Sequence, residues 1–303
     1  MDIGSGFTKC FNGEHRIIFP SIYAYRQPNI WEDGFETIEG VGEQALEIAK
    51  YPNAIKLYPI LDGKPQHQAF LKLAREAICR LELDSSNTLY LVSGLLYETA
   101  KPERERIKQI LRESLSLREI AVYPQCLGTL FDLDLQSATV INIGHGTTEV
   151  LIVENLNTLA GFSQPLACDF LLTNLVEYVQ AKHGLKLIME NIVSLIVGNI
   201  RSISAFGKSV SINDIKDRLE SGIDQLAEKI CYDARYLLTQ LQANLECSSK
   251  IVLSGGGSMI KGMKQAVEEK LGMKVLVPSN PIFSNVQGFY KIRLKLYGQD
   301  KSC

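Results

Sequence analysis

The stretch NIGHGTTE, residues 142–149, repeats the pattern of DIGSGFTK, residues 2–9. In each, an amide or acid (Asn142, Asp2) is followed by isoleucine, Gly-x-Gly and, one residue on, threonine (Thr148, Thr8), and the chain after it reads as a returning strand. A glycine hairpin of this form can turn backbone N–H groups toward an anion, because glycine admits φ > 0 and lets a phosphate approach the main chain. Neither copy is a P-loop, since no Gly-Lys-Ser/Thr enters a helix, and neither is Gly-x-Gly-x-x-Gly. One such loop alone is more often a turn. A repeat of this kind is worth more than either loop alone, and with a third glycine loop at 255–257 it points to a phosphate clamp.

Working outward, strands and helices alternate, which predicts an α/β fold with covered sheets. Strands are expected at Met1–Ile3, 16–21 and 88–94, the last apolar and ending in Gly94. A helix over about 68–83 places Phe70, Ala74, Ala77, Ile78 and Leu81 on one face, and Pro102 opens a second with Ile107, Ile110 and Leu111 inward. A second cycle starts near residue 138 with the apolar strand ATVINIG and its hairpin partner TEVLIVEN. A helix follows, closed by Gly184, then a hairpin over 202–212 turning at Gly207. A long amphipathic helix carries Ile215, Leu219, Ile223, Leu226, Ile230, Leu237 and Leu241. KIVLSGGGSMIKGM, residues 250–263, reads as a strand, a triple-glycine turn and a helix start. Its Gly255, Gly256 and Gly257 leave a flat backbone surface on which a purine could lie.

Composition sets outer bounds. The 303 residues suffice for two modest domains, and the 46% hydrophobic and 22% charged fractions are those of a soluble globular chain. A net charge of −2 disfavours direct nucleic-acid binding by charge alone. No apolar run is long enough to span a bilayer and no signal peptide is expected before Asp2, so the expected location is cytoplasmic, away from the membrane. The 7 cysteines are scattered without C-x-x-C, and the 4 histidines lack metal-ligand spacing. Most of the cysteines read as small buried hydrophobes.

With these residues in place, the chain resembles the actin-like ATPases, within the wider actin, Hsp70 and sugar-kinase fold. DIGSGFTK is similar to that family's first phosphate motif, NIGHGTTEV to its second, and IVLSGGGSMIKGM, the most specific of the three, to its adenosine motif. GVGEQALEIAKYPNAIKLYPILDG (40–63), YPQCLGTL (123–130) and PLACDFLLTNLVEYV (165–179) resemble other family segments, so the likeness covers nearly the whole chain. The tail NPIFSNVQGFYKI (280–292) is most like the ParM/StbA plasmid-segregation actins and related archaeal proteins.

The resemblance implies an α/β, two-lobed fold with a duplicated ribonuclease-H-like core and a nucleotide cleft between lobes. Domain I would be 1–137 plus 281–303, with a small insert at about 26–62. Domain II would be 138–280, with an insert at about 180–240. It implies ATP or GTP with Mg²⁺, held by Gly4, Ser5, Gly6, Phe7, Thr8, Lys9, Gly144, His145, Gly146, Thr147, Gly255, Gly256, Gly257 and Ser258. Asp2 would bind the metal through water, Lys9 would meet a phosphate, and Gln125 would position the attacking water. Gln125 can also be read as an ordinary loop residue after Pro124, and His145 as a solvent-facing turn residue. Asn142 stands where the family has Asp, which implies slow hydrolysis unless Glu149 or His145 offsets the change. Relatives have apolar strand residues before this motif, so either the true start lies upstream of Met1 or the α-amino group lies beside Asp2, where it would compete with the metal. The implied function is a head-to-tail, filament-forming cytoskeletal protein for plasmid or DNA segregation or for intracellular organisation, with any DNA cargo carried through an adaptor. A non-polymerising scaffold and a small-molecule kinase of the same superfamily remain alternatives.

Overall fold

A computed structural model describes residues 1–28, 36–61, 64–83, 89–241 and 246–298. By internal contacts the chain divides into two compact units, Met1–Gln136 together with the segment from Ile282 onward, and Ser137–Pro281. The expected positions Thr88, 62–63 and Cys303 lie outside the described residues.

The first unit is built on a five-stranded mixed sheet. Asp2–Ile3 lies at its centre, between antiparallel Phe7–Phe11 and parallel Tyr90–Leu95. Arg16–Pro20 and Glu119–Pro124 form the two edges. The helices His67–Arg80 and Lys101–Ser114 cover it with the residues their periodicity exposes on one face. Phe70, Leu73, Ala74, Ile107 and Leu111 are buried with Met1, Ile3 and Phe19 in one core. Ile110 is only partly buried.

The second unit repeats this topology. Ala138–Ile143 is central, with antiparallel Thr148–Glu154 on one side and parallel Ile251–Ser254 on the other. Asn157–Gln164 and Val275–Leu276 take the edges. The repeat seen in the glycine hairpins is therefore a repeat of whole sheets. The helix Cys168–His183 ends on Gly184, whose φ of 65° is left-handed, as its glycine C-cap predicts. The long helix Ile212–Gln240 buries Ile215, Leu219, Ile223, Leu226 and Ile230, but its inward face then runs through Ala234 and the partly buried Leu238 rather than Leu237. The heptad-like continuation to Leu241 drifts off the core because 3.6 residues per turn do not keep a seven-residue step on one face.

Smaller elements complete each unit. Tyr23–Arg26, Ile38–Val41 and Ile55–Leu57 form a three-stranded sheet beside the helix Glu43–Ile48. The hairpin Ser202–Ala205/Lys208–Ser211 turns through Phe206 and Gly207, both at positive φ, the turn that matches strand twist. The helix Ser284–Tyr297 belongs to the first unit. Among the described cysteines, none of which is in a disulfide, Cys10, Cys126, Cys168, Cys231 and Cys247 are buried, while Cys79 is exposed. Among the described residues no helix is long and apolar enough to cross a membrane.

Candidate functional site

In the first unit, strand register sets Asp2 opposite both Lys9 and Gly94. Residues directly opposite share a face, so the carboxylate and the ammonium meet. Lys9 Nζ donates to Asp2 Oδ2 at 2.8 Å, in a pair whose side chains are 16% and 3% exposed. Asp2 Oδ1 is buried and has no hydrogen-bond partner among the described residues. A buried carboxylate oxygen without a donor is costly, and a bound group would relieve it. The Met1 ammonium donates to Val92 O at 2.8 Å rather than to Asp2. Backbone pairing of the opening strand directs it to the neighbouring strand instead.

Gln125 is the first residue of the helix Gln125–Asp132, directly after the strand Glu119–Pro124, and is buried. A Cβ on Gly94 would lie 2.8 Å from Gln125 Cγ and 2.7 Å from the Phe289 ring, so the Gln125 side chain lies over the glycine that faces Asp2. The structure thus gathers Asp2, Lys9 and Gln125, and adds Asn285, whose Nδ2 is 3.5 Å from Asp2 Oδ2. Asn285 sits 283 residues along the chain from Asp2. Its one signal in the sequence is a polar Ser-Asn pair inside an otherwise apolar, helical tail.

The two hairpin turns are built alike. Gly4 N–H donates to Phe7 O at 3.2 Å, and Gly144 N–H donates to Thr147 O at 2.9 Å. A Cβ would press on these same carbonyls, at 3.2 Å in the first turn and 2.8 Å in the second. Gly4, Gly6, Gly144 and Gly146 are absent from the positive-φ positions, so at Gly4 and Gly144 glycine serves close approach and not a left-handed backbone. The amides of Gly4 and Gly144 thus close their own turns. Thr8 and Thr148 are likewise directed inward. Both are fully buried, with Thr8 Oγ1 and Ser21 Oγ 2.8 Å apart and Thr148 Oγ1 donating to Leu166 O at 2.6 Å. Ser5, Gly6, Phe7, His145, Gly146 and Thr147 remain at the turns' outer positions, partly or fully exposed.

In the second unit, Asn142 lies opposite Glu149 and beside Ser254. Ser254 Oγ donates to Asn142 Oδ1 at 3.4 Å, and Glu149 is 1% exposed on the same face. Gly255, at φ 80°, follows directly. Its Cβ would stand 2.4 Å from Ile143 O and 2.5 Å from Asn142 Oδ1, so only glycine fits. A Cβ on Gly257 would meet Ile143 Cγ2 at 2.4 Å and Cys168 Sγ at 3.1 Å, whereas one on Gly256 would meet nothing within 4 Å. The second turn and the triple-glycine turn therefore pack on one strand, Ala138–Ile143, and Gly256 presents open backbone. Ser258 Oγ donates to Gly255 O at 2.7 Å, stabilising this turn from within. Cys168 and Asp169 open the helix Cys168–His183 against the second turn, donating their amides to Gly144 O at 3.3 Å and His145 O at 2.8 Å. Burial pushes the Cys168 thiol up to about 12, so it stays neutral. Among the described residues no group of three His, Cys, Asp or Glu is placed to hold a metal ion.

A duplicated sheet with a glycine hairpin at the head of each central strand defines an actin-like α/β protein. The MreB/Mbl protein family matches residues 1–300, and the chain belongs to that family. The solved structure described as MreB5 of Spiroplasma citri bound to ADP is similar at TM-score 0.78 and 16% identity, over 97% of this chain and 96% of that one. The MreB5 structure bound to AMPPNP gives TM-score 0.77 and 16% identity, over 97% and 94%. A MamK double helical filament gives TM-score 0.81 and 19% identity, over 96% of each chain. At such identities these likenesses establish the fold. No curated protein matches the chain.

Proposed function

We propose that this chain is a nucleotide-dependent cytoskeletal protein that assembles with copies of itself and hydrolyses ATP slowly. The observation that carries the nucleotide part is the paired glycine turns, joined in the first unit to Asp2 with one unpartnered buried oxygen. Support for the ligand class comes from the MreB5 structures described with ADP and AMPPNP, and for assembly from MamK, described as a double helical filament.

The residues fit a phosphate ligand accompanied by Mg²⁺. That ion keeps several waters and binds through one or two carboxylates plus phosphates, so the lack of a three-ligand cluster among the described residues suits it. Mg²⁺, when bound, neutralises phosphate charge. Asp2 Oδ1 would accept from its water. Lys9, on a flexible stem, would move its charge from Asp2 to phosphate. Gly256 would lie against the base, with the neighbouring turn held by Ser258. Gln125, placed over Gly94, would orient a water. An amide at Asn142 can hydrogen-bond a water or a phosphate oxygen but cannot take up a proton, hence the slow rate.

The test is sedimentation of the pure chain with and without Mg-ATP. Nucleotide-dependent pelleting, with filaments in negative stain, is the expected result. A strictly monomeric chain that binds ATP points to the small-molecule kinase or scaffold alternative. Within this proposal, the tail NPIFSNVQGFYKI supports a finer reading, a cytoplasmic role in DNA segregation. The net charge of −2 disfavours direct DNA binding by charge alone, so such a role would run through an adaptor. None of the relatives named above is described as a plasmid-segregation protein, so this finer reading stands on the tail alone.

A further inference from the structure

Behind the first turn, four polar side chains form one buried chain of hydrogen bonds. Ser284 and Asn285 open the helix Ser284–Tyr297, and Thr129 lies in the helix Gln125–Asp132. Thr129 Oγ1 donates to Asn285 Oδ1 at 2.8 Å and lies 2.8 Å from Ser284 Oγ. A hydroxyl carries one proton. Thr129 has committed its proton to Asn285, so Ser284 is the donor in the second bond. With Oδ1 on Thr129, the Asn285 amide is oriented and its Nδ2 faces Asp2 Oδ2 at 3.5 Å. Ser284 and Thr129 are fully buried, and Asn285 and Asp2 are 4% and 2% exposed.

The backbone fixes this arrangement. A Cβ on Gly128 would lie 2.3 Å from Asn285 O, and one on Gly288 would lie 1.7 Å from Gly128 O. The two helices therefore touch main chain to main chain, and Asn285 cannot shift without both. Two donors converge on Asp2 Oδ2, and they differ in kind. Lys9 is close at 2.8 Å, charged and on a flexible stem. Asn285, at the long limit of a hydrogen bond, is locked in direction. A phosphate would attract Lys9 and leave Asn285.

We infer that Asn285, aimed by Thr129 and Ser284, is the positioning residue that holds the Asp2 carboxylate for a nucleotide-bound divalent cation once Lys9 turns to phosphate. With Asn285 on Oδ2, the partnerless Oδ1 is the oxygen presented to the cation's water. The inference rests on the nucleotide reading above, and it adds the residue that makes the metal contact directional.

The experiment is calorimetric titration of the full chain with ADP, in Mg²⁺ and in EDTA. It compares wild type, Asn285→Leu, Thr129→Val and Thr129→Ser, each checked for folding by circular dichroism. Wild type binds ADP more tightly with Mg²⁺. In Asn285→Leu and Thr129→Val that tightening shrinks about tenfold, the scale of one hydrogen bond to a charged group, while affinity in EDTA is unchanged. Thr129→Ser keeps the hydroxyl and the wild-type ratio. If Asn285→Leu does not fold, the isosteric Thr129→Val carries the comparison. An unchanged Mg²⁺ ratio in the folded variants overturns the inference and leaves the nucleotide reading intact. Equal weakening with and without Mg²⁺ also overturns it, because it marks a purely structural role. Absence of ADP binding by wild type overturns both.

Discussion

Adjacent glycines of the triple-glycine turn have opposite surroundings, and substitution separates them. Gly257→Ala would place a methyl 2.4 Å from Ile143 Cγ2, in a fully buried strand. The expected loss is about 1–3 kcal/mol of stability by overpacking, measured as a lower urea midpoint. Gly256→Val meets open space, so the ligand-free protein keeps its stability within about 0.5 kcal/mol and loses the melting shift produced by Mg-ATP. A retained shift in that variant would place the nucleotide elsewhere. Asn142 poses a different question, because it faces buried Glu149. An acid at 142 would set two carboxylates on one face, where like charges repel. Asn142→Asp is expected to lower the melting temperature without ligand. It should also raise steady-state phosphate release toward the roughly 10²–10³-fold that a positioned polar group typically contributes. Unchanged turnover at unchanged affinity would show that the amide does not limit the rate.

Among the elements, the helices Gln125–Asp132 and Ser284–Tyr297 meet main chain to main chain at Gly128 and Gly288. Gly288→Ala drives a methyl to 1.7 Å from a backbone oxygen that cannot rotate away. It should cost about 3 kcal/mol or prevent folding, whereas Gly272→Ala, in open space at φ 68°, should cost only the roughly 1–2 kcal/mol of a left-handed alanine. Comparable losses at the two sites would contradict the tight crossing. Elsewhere in the first unit, a cavity of about 290 Å³ is lined by Tyr23, Glu39, Lys72 and Arg75 among others. Glu39 accepts from Tyr23 Oη and from Lys72 Nζ, each at 2.5 Å. Burial, then the Glu39 carboxylate, pushes the Tyr23 phenol from 10.0 up to about 12. Since the folded value is the higher one, this group's stability is complete below pH 10.0 and is lost as pH rises through about 12. Tyr23→Phe should remove that part of the alkaline decline, seen by comparing urea midpoints across the interval.

For the molecule as a whole, the decisive quantity is linkage between ligand and fold. A nucleotide that binds only the folded chain stabilises it by about 2.7 kcal/mol at a hundred times its dissociation constant. Mg-ATP is therefore expected to raise the melting temperature by a few degrees. The rise should be smaller in Lys9→Met, which removes the cation paired with Asp2. No rise at saturating ATP, measured by scanning calorimetry, would remove the nucleotide reading altogether.

The sequence by itself determined the duplicated α/β plan and the places of the three glycine turns. Local pattern suffices for these, because Gly-x-Gly after an apolar strand and the 3.6-residue spacing in Ile215–Ile230 are encoded by neighbours. It also placed Gly184 and Gly207 at turns, since a left-handed backbone names its residue. The edge strands Asn157–Gln164 and Glu119–Pro124 escaped that reading because they lack a clean apolar alternation of their own. Only the tertiary structure decided what each site residue faces. Strand register paired Lys9 with Asp2 and Asn142 with Glu149, and helix crossing at Gly128 and Gly288 brought Asn285 to Asp2. Partners at such separations are set by hydrogen-bonded register and close backbone packing, which no local stretch of sequence contains.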